Sequence, residues 1–139
     1  MPAPFDHEKL RAYQEALRFV AWVAPVIEEL PAKLSAKDQL DRASTSIVLN
    51  IAEGNGKRSH PDRRRHFDTA RGSALECAAC LDVLVVRGKL SSETTPVGKE
   101  ILLGAVSPLA GLIARFPNQV HEEQAPYGAT IQAGENEND

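Results

Sequence analysis

The chain's 139 residues, 42% of them hydrophobic and 25% charged, suffice for one domain with a real core, and 5% aromatic content makes that core mainly Leu, Val, Ile and Ala. A formal net charge of -3 offers no global attraction for nucleic acid or an anionic membrane, and no apolar run approaches the roughly 20 residues of a membrane span. Two cysteines are too few for a secreted disulfide scaffold, and with no charged leader before a hydrophobic block a cytoplasmic protein is expected.

From His7 to Leu30, Leu10, Tyr13, Leu17, Val20, Val23 and Ile27 recur at steps of three and four, which predicts a first helix over about 7–30. Pro25 should kink it, and Leu30-Pro31 closes it. Ser35, with Asp38 three residues on, reads as the N-cap of a second helix over about 36–53. Its seam is Leu40, Ala43, Ile47 and Ile51, and Gly54 and Gly56 are expected to stop it.

Asn55 to His60 forms a short basic loop, and Ser59 or His60, with Pro61 at the first helical position, opens a third helix over about 61–88. Phe67, Ala70, Ala74, Cys77, Leu81, Leu84 and Gly88 make a heptad-like seam along it. Arg65, Thr69, Gly72, Ser73, Glu76, Cys80 and Val83 fall on the opposite, mostly small-residue face, which suits close approach of another subunit or simple solvation. A fourth helix over about 96–115 carries Val97, Ile101, Leu102, Ala105, Leu109, Leu112 and Phe116 inward, with a kink or break expected at Pro108. Residues 117–139 are acidic and polar and predict a mobile tail. The fold class is therefore all-α: residues 1–116 form an antiparallel up-and-down four-helix bundle.

The run Arg42 to Gly54, R-A-S-T-S-I-V-L-N-I-A-E-G, continues into Asn55-Gly56-Lys57-Arg58-Ser59. Together with Phe67 to Glu76, F-D-T-A-R-G-S-A-L-E, and the opening F-D-H-E-K-L-R-A-Y-Q-E-A, it resembles the family related to the 23S ribosomal RNA intervening-sequence protein. The likeness covers about residues 5 to 116. It implies a four-helix bundle assembled as a ring-like homopentamer, and the similar accessory protein of diversity-generating retroelements binds nucleic acid. Those nucleic-acid-binding relatives are strongly basic, whereas this chain has a pI near 5.8.

The charge is unevenly spread. Lys57 to Arg71 holds six basic residues against two acids, a local net of +4, while five acids lie after Phe116. Lys57, Arg58, Arg63, Arg64 and Arg65, beside His60 and His66, are the candidate contacts for RNA, DNA or a smaller anion, or else a solvated patch. No aromatic is interleaved among them along the chain to stack bases.

Ser46, Asn50 and Glu53 share one side of the second helix, and structural roles are expected: Asn50 and Ser46 bonding to another helix, Glu53 engaging Arg or Lys near the loop. Arg71, Ser73 and Glu76 are the counterpart on the third helix, with Glu76 expected to pair with Arg42 or Arg71 in the bundle or across an interface. No histidine is placed by the sequence to activate Ser73. The Cys77-Ala78-Ala79-Cys80 motif lies inside a helix rather than opening one, which argues for inert thiols. With no Glu-x-x-His pair and no phosphate-cradling loop, neither metal nor cofactor is expected.

The resulting expectation is a non-enzymatic, homo-oligomeric scaffold or binding module that contacts nucleic acid and not a membrane. The alternatives are an assembly partner for another protein and an enzyme with a site at subunit boundaries.

Overall fold

The computed structural model describes residues 4–116. A short 3-10 turn, Asp6–Lys9, precedes four helices: α1 Arg11–Glu29, α2 Ser35–Gly56, α3 His60–Val86 and α4 Thr95–Arg115. The mobile tail expected over 117–139 lies outside the described residues.

The first helix begins later than its periodicity suggests. Leu10 is extended (φ -76°, ψ 131°) and separates the 3-10 turn from α1. Two bonds hold that turn in place: Asn55 Nδ2 donates to Asp6 Oδ2 at 2.9 Å and Gln14 Nε2 to the Glu8 carbonyl at 3.0 Å. The buried stripe of α1 is also rotated from the expected one, being Ala12, Ala16, Phe19 and Val23, while Leu17 is exposed. Alanines let the neighbouring helices come close, so the larger Leu10, Tyr13, Val20 and Ile27 flank the contact, half-buried.

Ser35 is the first residue of α2 and not its cap; Leu34 precedes it and makes no side-chain bond to the helix start. Gly54 does not stop this helix either. It is buried within it, and a Cβ there would lie 2.9 Å from both His66 Cβ and Phe67 Cε1, so the glycine serves the close approach of α3. The helix ends one turn later than expected, at Gly56.

The start of α3 follows its sequence. Ser59 Oγ accepts the Asp62 N–H at 3.1 Å, with Pro61 in the first turn. Gly88, at φ +74°, takes the left-handed conformation just past its end. The small-residue face expected to point away from the seam is only partly outward, because Ser73 and Cys80 are buried. A helix flanked by α2 on one side and α4 on the other buries a wider arc than one seam.

No break interrupts α4 at Pro108. Ile101, Leu102, Ala105, Leu109 and Leu112 face inward as expected, whereas Val97 is exposed. Gly98 is buried under Trp22, and a Cβ there would fall inside contact distance of the indole ring. By length and composition α4 alone among the described helices is apolar enough to cross a membrane, against the expectation of no such run. Only Lys99, Glu100 and Arg115 are charged among its residues, and its Leu, Ile, Val and Ala residues keep the average high. Its inward residues belong to the bundle core.

Each helix packs on two neighbours, α1 on α2 and α4, α3 on α2 and α4. The cross-helix contacts run in opposite senses along each pair: Ser46 meets Ser73 while Asn50 meets His66, and Asp82 pairs with Lys99 while Phe67 meets Phe116. This is the arrangement of an up-and-down bundle. Phe19, Phe67, Leu40, Ile47, Ile51, Leu81, Leu84 and Leu109 are the largest wholly buried side chains at its centre.

Candidate functional site

The up-and-down course brings four helix termini to one end of the bundle: the start of α1, the end of α2, the start of α3 and the end of α4. The basic cluster lies here, and its members fare differently. Arg64 Nε is 3.4 Å from Asp68 Oδ2, one turn along α3, and Arg65 Nη2 is 3.3 Å from Asp62 Oδ1. Pairs at or near the surface contribute little stability, but each carboxylate formally offsets the charge that its arginine offers a partner. Lys57 and Arg58 are exposed without an ion pair among the described residues.

Arg63 is placed by an aromatic ring. Its guanidinium carbon is 5.3 Å from the centroid of Phe116, and that of Arg115 is 5.6 Å from the same ring. His60 meets Phe116 edge-on at 4.9 Å, and Phe67 lies beneath at 6.1 Å. The basic patch therefore has an aromatic centre after all, supplied from the far end of the chain. Sequence reading missed Phe116 and Arg115 as members of the patch. The signal was available in the topology itself, since an up-and-down bundle sets the last turn of α4 beside the first turn of α3.

The polar residues of α2 and α3 form a second arrangement. Asn50 Nδ2 donates to the Ser46 carbonyl and to Ser46 Oγ, each at 3.0 Å. A carbonyl oxygen only accepts, so the Asn50 nitrogen must face it, and Asn50 Oδ1 faces His66 Nδ1 at 3.0 Å. His66 consequently carries its hydrogen on Nδ1. Ser46 Oγ also lies 2.8 Å from Ser73 Oγ across the helix pair. The ladder Ser73, Ser46, Asn50, His66 satisfies partly buried polar groups and holds α2 against α3 in one register.

Two expected partnerships are not formed among the described residues of a single chain. Glu53 meets no Arg or Lys there; His66 Nδ1 is 3.6 Å from its carboxylate, and that nitrogen's hydrogen already serves Asn50. Glu76 pairs with neither Arg42 nor Arg71 among the described residues. Arg42 reaches Asp38 instead, 3.4 Å away on its own helix, and Glu76 and Arg71 are exposed because Ser73, Ala74 and Cys77 occupy the inward positions around them.

Asn50→Ala should therefore cost about 1–3 kcal/mol, since it leaves Ser46 and His66 short of partners in a partly buried place. Urea denaturation checks this, and a cost within about 0.5 kcal/mol of zero would show the ladder to be energetically idle.

Cys77 and Cys80 are free and buried. Burial first, then the charges of Cys80 and Glu76, push the Cys77 thiol up to about 12; burial, with Glu76, also raises Cys80. Both thiols are neutral near pH 7, which fits the inert reading. Among the described residues no group of three or more His, Cys, Asp or Glu side chains is gathered as for a metal ion.

Compared with known families, residues 8–102 match the model described as 23S rRNA-intervening sequence protein. The matched span takes in α1 to α3, the basic loop and the polar ladder, and stops before Arg115 and Phe116. No curated protein matches the chain.

Proposed function

Because the chain belongs to the 23S rRNA-intervening sequence protein family, we propose that it is a non-enzymatic, homo-oligomeric binding module of the cytoplasm that holds a nucleic-acid backbone at the basic end of its bundle. The observation that carries this reading is the convergence of Lys57, Arg58 and Arg63 at one end, with Arg63 seated on Phe116. Fixed guanidinium groups lose less freedom on meeting a phosphate than free ones, and each contact releases a counterion from the strand. Arg64 and Arg65, already paired, contribute less to binding.

Self-assembly, with five copies as the number the resemblance implies, is supported by exposed apolar side chains. Leu49, Leu75 and Leu103 are 55%, 47% and 66% exposed, and a subunit boundary would bury them. The same side chains favour a second reading, an assembly partner for another protein with no nucleic-acid role.

Fluorescence anisotropy with labelled RNA and duplex DNA separates the two. Binding at about 50 mM salt should weaken steeply as salt rises, and replacing Lys57, Arg58 and Arg63 by Gln should flatten the log–log salt slope by about 2 to 3. No binding at that salt would remove the nucleic-acid reading. Light scattering should give several times the 15.1 kDa chain mass; a monomer at micromolar concentration would remove the assembly.

A further inference from the structure

The start of α1 and the end of α4 enclose a cleft of about 280 Å³ between Leu10, Arg11 and Ala12 on one side and Pro108, Leu112 and Arg115 on the other. Arg11 and Arg115 are the charged residues of its lining, and Leu10, Ala12, Pro108 and Leu112 are the apolar ones. Among the described residues no carboxylate lines it.

Two permanently charged groups that share a cavity repel one another, and among the described residues neither Arg11 nor Arg115 has an ion-pair partner. Glu15, one turn along α1 from Arg11, is taken by Arg18 at 2.7 Å. The first turn of α1 contains no acid, and no side chain caps it. That helix start therefore adds a partial positive charge to the field of Arg11. At the α4 end the partial charge is negative, and Arg115 offsets it.

We propose that this cleft binds a nucleotide monophosphate, its phosphate between Arg11 and Arg115 and its base against Leu10, Pro108 and Leu112. A phosphate alone would meet the charge and leave the apolar walls wet. A nucleoside alone would leave the two guanidinium groups unrelieved. A nucleotide matches both halves, whether free or at the phosphorylated end of a strand. The site goes beyond the backbone contact through Lys57, Arg58 and Arg63, with which it shares only the border residue Arg115.

Isothermal titration calorimetry on the full chain tests it with uridine monophosphate, uridine and inorganic phosphate as separate probes. The monophosphate should bind saturably and about tenfold or more tighter than either fragment. Joint replacement Arg11→Gln and Arg115→Gln should weaken it by a similar factor, while Lys33→Gln with Lys89→Gln, exposed at the opposite end of the bundle, leaves it unchanged. Gly111, which also lines the cleft, has nothing within 4 Å of where a Cβ would sit, so Gly111→Asp adds a carboxylate without a clash and should abolish binding in a folded chain.

An oligonucleotide bearing a 5′-phosphate that binds more tightly than its 5′-hydroxyl twin, through Arg11 and Arg115, marks a strand end as the source. Equal binding of the twins marks the free nucleotide. The inference is overturned if the monophosphate does not bind, if phosphate alone binds as well, or if Gly111→Asp binds as wild type. RNA that fails to bind while the monophosphate still does removes the proposed backbone contact and leaves this site standing.

Discussion

Phe67→Ala should destabilise the bundle by about 3–5 kcal/mol. Phe67 is wholly buried at the α2–α3 contact, and two features converge on its ring. Gly54 approaches so closely that a Cβ there would lie 2.9 Å from Phe67 Cε1. Phe116, the centre of the basic end, sits 6.1 Å away at a tilt of 38°. Removing the ring thus opens a cavity and takes away the support beneath Phe116.

The neighbouring change has the opposite lesion. Gly54→Ala overpacks the same contact and should cost about 1–3 kcal/mol. Combined, the two should cost less than their sum, because the vacated ring makes room for the new methyl group; His66 Cβ, equally close at 2.9 Å, keeps the relief incomplete. Urea denaturation of the single and double variants completes the cycle. Strict additivity would show that Gly54 and Phe67 do not constrain one another.

That contact also explains where sequence reading succeeded and where it stopped. Ser59, Pro61 and the seam from Phe67 to Leu84 were legible because caps and helical periodicity are local properties, and α3 follows them. Gly54 was misread as a helix stop because its reason for being glycine is the ring of another helix. Ser35 was misread as a cap for a related cause: the sequence shows a residue able to cap, not whether the chain before it turns in time. In α1 the stripe was misplaced because large apolar side chains dominate a periodicity count, whereas Ala12 and Ala16 decide how near α2 and α4 can come. At the candidate site, Ser46, Asn50 and Ser73 were legible as polar packing across helices. Their companion His66 was not, since nothing along the chain points from position 50 to position 66. Arg11, Arg115 and Phe116 could be joined only by the fold, which sets the start of α1 and of α3 beside the end of α4.

Neutralising the C-terminal acids should strengthen nucleic-acid binding about tenfold or more at low salt. Glu122→Gln, Glu123→Gln, Glu135→Gln, Glu137→Gln and Asp139→Asn together change the formal net charge from -3 to +2. Two of these acids are covalently close to the basic end. Glu122 is six residues past Phe116 and Glu123 seven, and an extended chain spans at most about 3.6 Å per residue, so covalent reach limits their backbone to roughly 25 Å from Phe116. At about 10 mM salt the screening length is roughly 30 Å, longer than that reach, so the carboxylates compete with phosphate for Lys57, Arg58 and Arg63. At about 1 M salt it is roughly 3 Å, and the advantage of the neutral variant should vanish. Anisotropy titrations of both proteins across that range give the difference directly. Equal affinity at low salt would mean that the acids do not oppose the patch, and that the chain's acidic pI is irrelevant to what its basic end can hold.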